Sequence, residues 1–180
     1  METYVAFLRG INVGGNNIIK MVDLKSAFED MKFKNVKTFI QSGNVIFQTN
    51  IAETQKIEAT LEAALSKRFN YNARVLVRSK KEMEDTIKSF PKIFKDETWK
   101  HNVIFISHLL DNSDTVSKFQ IKHDIEKIGY AKGVLFWSAK MEKISNSTML
   151  KLSSKKEYKE MSVRNLNTTR KIVELMKAYE

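Results

Sequence analysis

The stretch Val36-Lys37-Thr38-Phe39-Ile40-Gln41-Ser42-Gly43-Asn44-Val45-Ile46-Phe47-Gln48 decides how the rest of the chain is read. Two strand-like runs, 36–40 and 45–48, flank a Gln-Ser-Gly-Asn turn. Upstream, Met21, Leu24, Ala27, Phe28 and Met31 recur at helical spacing, with Asp23 in the first turn, where the helix dipole favours an acid. Downstream, Ile57, Leu61, Ala64, Leu65 and Phe69 mark a second amphipathic helix. Outside these helices lie two further strands. Residues 3–8 are apolar almost without interruption, which predicts burial on both faces, whereas 73–78 alternate. The resulting order, βαββαβ, is the signature of a ferredoxin-like split βαβ unit. In that topology the first and third strands are interior. Composition agrees, because these two are the most apolar, while the fourth carries Arg74 and Arg78.

Residues 80–180 repeat the plan in divergent form. The pattern predicts a helix over 80–90 stopped by Pro91, a strand over 101–107 and a helix over 114–122. A hairpin follows from 128–130 and 133–138, then a helix over 148–158 and a last helix from about Asn167. Val134-Leu135-Phe136 after Gly133 echoes Val45-Ile46-Phe47 after Gly43. The expected fold is α+β, with two tandem ferredoxin-like (βαββαβ) halves, 1–79 and 80–180, and an extra C-terminal helix.

Composition narrows the function classes. Of 180 residues, 42% are hydrophobic and 29% charged, close to soluble globular averages. Apolar runs fall well short of the roughly 18 residues that suggest a membrane span. The sequence has no cysteine, which excludes disulfides, a thiol nucleophile and thiolate metal sites. His101, His108 and His123 lack metalloprotease spacing, so no metal and no cofactor is expected. Lack of cysteine and of a secretion signal predicts a cytoplasmic protein with no membrane partner. The net charge is +10, and its densest excess lies between Lys132 and Lys171, where ten basic residues are opposed only by Glu142, Glu157 and Glu160. Such a field attracts anions, although a solvated basic face would look the same.

The sharpest functional signal is Arg9-Gly10-Ile11-Asn12-Val13-Gly14-Gly15. In a split βαβ unit the first two strands run the same way, so this loop, the turn 41–44 and the N-terminus of the first helix meet at one end of the sheet. Gly10, Gly14 and Gly15 permit positive φ and close backbone approach to a phosphate. Arg9 offers a bidentate fork and Lys20 a flexible charge. Asn12, Gln41, Ser42, Gly43 and Asn44 complete the candidate ligand-binding set. The competing reading is structural: glycines that let the crossover turn, with asparagines bonding local backbone. The loop matches neither the Walker A pattern nor the dinucleotide fingerprint. A second constellation, Ser162 to Arg170, offers Arg164 as an anion ligand or a partner for a nearby carboxylate, and Asn165 or Asn167 as a helix cap. Ser145-Asn146-Ser147-Thr148 has the same ambiguity between a ligand and an N-cap, and is read as an N-cap.

With Ile40-Gln41-Ser42-Gly43-Asn44-Val45 and Arg164-Asn165 before a final helix, the N-terminal motif resembles the bacterial domain-of-unknown-function family 1697 (DUF1697). The resemblance covers essentially the whole chain. It implies a two-part α+β fold with ferredoxin-like halves in a cytoplasmic bacterial protein, and no established activity. The motif positions carried over are Arg9, Gly10, Asn12, Gly14, Gly15, Gln41, Ser42, Gly43, Asn44, Arg164 and Asn165. A Ser-Lys element of many relatives is not matched between Lys143 and Leu150, where Ser145 precedes Asn146 and Ser147 precedes Thr148.

Three functions follow as expectations. The first is binding of an anionic small molecule, a nucleotide or a nucleic acid at the loop 9–15. The second is an enzyme acting on a small anionic substrate; Asp23 and His108 are its only topological candidates for a base, and no catalytic residue is assigned. The third is an interaction module using the basic second half.

Overall fold

The computed structural model describes residues 1–94 and 97–179. It is α+β, with two four-stranded antiparallel sheets. By contacts the chain divides into two compact units, Met1–Met83 with Lys171–Glu180, and Glu84–Arg170.

In the first unit the elements are β1 (Glu2–Leu8), α1 (Met21–Asp30), β2 (Lys34–Phe39), β3 (Asn44–Thr49), α2 (Thr54–Phe69) and β4 (Val75–Ser79). The sheet order is β2-β3-β1-β4, so β3 and β1 are interior. Strand alternation sends Tyr4, Ala6 and Leu8 of β1 into one core with Leu24 and Phe28 of α1 and Ile57, Leu61 and Leu65 of α2. Val5 and Phe7, on the opposite face, are buried as well. The uninterrupted apolar run thus reports burial on both faces. Helix α2 ends where Asn70 turns left-handed (φ 50°), a common helix stop.

The edge strand β4 has its outward amides occupied. Val75 N donates to Glu62 Oε1 at 3.0 Å, and Val77 N donates to Glu58 Oε1 at 2.7 Å. Two acids one helical turn apart on α2 therefore supply what a fifth strand would otherwise offer.

The second unit contains β5 (Trp99–Ile106), β6 (Glu126–Ala131), β7 (Val134–Lys140) and β8 (Met161–Asn165), in the order β6-β7-β5-β8. Before it comes α3 (Lys80–Lys88), and after β8 comes α4 (Leu166–Lys177). The two sheets match in register. Arg78 pairs with Val5, itself opposite Ile46; Arg164 pairs with Val103, itself opposite Phe136. Both arginines are nearly buried, and each donates from Nη1 to the carbonyl of the residue before it at 2.8 Å.

The expected helices over 114–122 and 148–158 are replaced by 3-10 segments. The first spans Ser113–Lys118; the second region breaks into Thr148–Ser154 and Lys156–Glu160, with Lys155 extended between them. The physical cause is local. Ser117 Oγ donates to Asp114 O, and Ser154 Oγ donates to Lys151 O, so hydroxyls compete for carbonyls that a continuing helix would use. Ser147 does act as an N-cap, accepting from Met149 N at 3.2 Å.

Candidate functional site

The loop following β1 and the turn between β2 and β3 are joined directly. Leu8 N donates to Gly43 O at 2.8 Å, and Asn12 Nδ2 donates to Gln41 O at 3.0 Å. Asn12 also closes the loop on itself: its Nδ2 donates to Ile19 O at 3.0 Å, and its Oδ1 accepts from Ile19 N at 2.8 Å. A further tie runs from Asn17 Nδ2 to Gly10 O at 2.8 Å. Asn12 (φ 53°) and Asn17 (φ 47°) are left-handed, the conformation that asparagine tolerates best among residues with a side chain.

The turn is fixed just as firmly. Asn44 is fully buried, and its Nδ2 donates to Phe39 O at 3.0 Å and to Ser42 Oγ at 3.1 Å. Gly43 has φ 74°, and a Cβ there would lie 2.8 Å from Leu8 Cβ and 2.9 Å from Ile11 Cδ1. Only glycine fits. Ile40 sits at φ 48°, which is strained for a β-branched residue, and its side chain is exposed.

Asn12 and Asn44 are thus engaged in building the loop and turn. Gly14 (φ 59°) and Gly15 (φ 78°) lie exposed at the tip, and among the described hydrogen bonds their amides donate none. Lys20 is the extended residue before α1 and makes no side-chain cap. It is exposed, Arg9 is half-buried, and Gln41 is exposed. Val13, Ile18 and Val22 are exposed with Ile40, so among the described residues half of the eight large exposed apolar side chains lie on these connected segments. Asp23 is exposed in the first turn of α1, and His108 is exposed after β5.

The described side-chain hydrogen bonds of Arg164 and Asn165 lie within β8 and at the start of α4. Arg164 Nη1 donates to Ser162 Oγ at 3.0 Å and to Val163 O. Burial pushes its guanidinium down to about 10, with Tyr158 acting in the opposite direction. Asn165 Oδ1 accepts from Asn167 N at 2.8 Å and so caps α4, which settles the choice between the two asparagines.

Sequence reasoning missed two features of the second unit. One is Glu126, a buried carboxylate at the start of β6. It accepts from the Lys122 and Thr148 amides (both 2.8 Å), the Thr148 hydroxyl (2.7 Å), the Ser147 hydroxyl (2.5 Å) and Trp137 Nε1 (3.3 Å). Burial alone would raise its pKa, but these donors hold it below the usual carboxylate value. The other is an open cleft of about 610 Å³ lined by Phe90, Glu97, Trp99, His101, Leu166, Asn167 and Arg170. Its residues come from segments far apart in sequence, so no local motif announces it. Among the described residues no helix is long and apolar enough to cross a membrane, and no group of His, Asp or Glu is arranged to hold a metal ion.

Comparison with known proteins supports this description at the level of fold. A conserved bacterial protein, SP0830 from Streptococcus pneumoniae, has a similar structure with a TM-score of 0.84 at 24% identity. The similarity covers 97% of this chain and 98% of that one. No functionally curated protein matches the sequence. The pattern of a protein family of unknown function, DUF1697, matches residues 1–136, which include both the loop and the turn. The chain belongs to the DUF1697 family.

Proposed function

We propose that this protein binds a phosphate-bearing or other anionic ligand, a nucleotide or a nucleic acid, at the loop 9–15. The observation that carries the reading is a division of labour within the loop. Asparagine side chains hold the backbone, while the Gly14 and Gly15 amides are exposed and donate none of the described hydrogen bonds. Gly14 and Gly15 are the central residues of a turn closed by Asn16 N donating to Val13 O at 3.1 Å. Successive backbone amides of a turn can form an anion-binding concavity, and preorganisation lowers the cost of binding. Arg9 and Lys20 supply the charge. The reading of each half as a ferredoxin-like unit is supported by the βαββαβ order before residue 80 and by the strand order common to both sheets. A cytoplasmic location is part of the proposal and rests on the lack of cysteine.

A second reading is favoured by Val13, Ile18, Val22 and Ile40, which make the loop end apolar as well as glycine-rich. Exposed apolar side chains gathered at one place mark protein contacts, so an interaction module would use this end. Titration with pyrophosphate, followed through the amide resonances of Gly14 and Gly15, separates the two. Anion binding predicts saturable shifts, weakened about tenfold or more by Arg9→Ala. Shifts that never saturate, or that Arg9→Ala leaves unchanged, would overturn it. If the anion is a nucleic acid, affinity falls steeply with salt.

A further inference from the structure

The cleft in the second unit has no part in the loop reading, and its chemistry is distinct. Three segments form it. Phe90 follows the C-terminus of α3, Trp99 and His101 stand two residues apart on β5, and Leu166, Asn167 and Arg170 occupy the first turn and a half of α4. A volume of about 610 Å³ falls within the range of small-molecule sites.

Its walls are built for orientation. His101 Nδ1 lies 2.8 Å from Ser138 Oγ, and Ser138 is completely buried. The Phe90 ring meets the His101 imidazole edge to face at 5.3 Å. The imidazole is therefore held both by a hydrogen bond and by an aromatic neighbour. Trp99 is held too, with Lys127 Nζ 4.4 Å and Lys140 Nζ 5.7 Å from its ring centroid. The charge around the cleft is mainly positive: Arg170 lines it, Lys127 and Lys140 stand at its tryptophan wall, and among the described residues Glu97 is the one lining acid. No described ion pair joins Glu97 to Arg170.

We infer that this cleft is a second binding site, and that it takes a small aromatic oxyanion. Arg170 receives the carboxylate or phosphate, Asn167 and His101 supply hydrogen bonds, and the planar body lies against Phe90 and Trp99. Positive charge and aromatic walls together favour such a ligand over an inorganic anion, which would leave the aromatic surface unused.

The test uses benzoate, phenyl phosphate and inorganic phosphate as probes on the full chain. The sequence has two tryptophans, so indole N–H resonances report on the cleft through Trp99 and on the core through Trp137. The expected result is a saturable shift of the Trp99 indole with benzoate or phenyl phosphate, at a Kd of about 1 mM or below. Inorganic phosphate binds at least about tenfold more weakly. Arg170→Ala weakens the aromatic probes by about tenfold or more, Arg170→Lys by less, because the fork is lost but the charge is kept. Both changes fall at an exposed position, so the melting curve stays close to that of the parent. Arg9→Ala leaves cleft binding unchanged, which keeps this site separable from the loop. The inference is overturned by a Trp99 indole that does not move in a saturable way. It is equally overturned by equal affinity for inorganic phosphate, or by binding that Arg170→Ala does not weaken.

Discussion

Replacing Asn12 by alanine removes three hydrogen bonds at once, two donated by Nδ2 and one accepted by Oδ1. Each is worth about 1 kcal/mol net, and the sites are only partly buried, so water recovers some of the loss. The backbone adds a separate cost. At φ 53° an alanine is disfavoured relative to asparagine or glycine, by about 1 kcal/mol. Asn12→Ala should therefore lose about 2–4 kcal/mol. Asn12→Gly loses the same bonds without the strain, so it should retain about 1 kcal/mol of that difference. Urea unfolding of the three proteins measures the ranking, and hydrogen exchange at the Ile19 amide reads the loop itself, because that N–H donates to Asn12 Oδ1. A loss below about 0.5 kcal/mol, with Ile19 exchanging as slowly as before, would refute the argument. Asn12 would then be reserved for a ligand, and the loop would be held by its backbone alone.

Gly43→Ala combines positive φ with contacts under 3 Å to Leu8 and Ile11, and should cost about 2–5 kcal/mol, read as a lowered melting temperature. Glu126→Gln should lose about 2–4 kcal/mol at neutral pH, since an amide nitrogen replaces an acceptor facing donors only. Because the Glu126 pKa is lowered in the folded state, its contribution is present above the unfolded carboxylate value and disappears as pH falls through the folded one. The gap between parent and variant should thus narrow below about pH 4, in urea unfolding measured across pH. Removing both Glu58 and Glu62 as alanines frees the outward amides of β4, and light scattering should detect greater self-association.

The first unit was legible because its signals are periodic and local. The apolar run of β1, the helical spacing of Leu24 and Phe28, and the glycine-bearing turn at Gly43 each announce their geometry in a few residues. The meeting of loop and turn was also legible, because strand direction fixes which ends coincide. The job of each polar residue was not. Nothing in the sequence says whether Asn12 faces a ligand or Ile19 O, because both uses need the same amide. The second unit was harder for a different reason. Its 3-10 segments carry helix-like apolar spacing, and Ser117 and Ser154 bond backbone carbonyls within them, a competition that spacing does not reveal. Glu126 illustrates the limit: besides nearby Lys122 its donors lie at 137 and 147–149, positions that the fold alone brings together.

The grouping of Lys171–Glu180 with Met1–Met83 has a consequence for the order of events on the ribosome. Domains emerging first usually fold first. Here the N-terminal unit lacks residues that are made only after 84–170 have emerged, among them Ile172 and Met176, both fully buried in the finished protein. The first unit to be synthesised is therefore the last to be completed. Until then the unit lacks side chains that end fully buried, a window in which a chaperone would act.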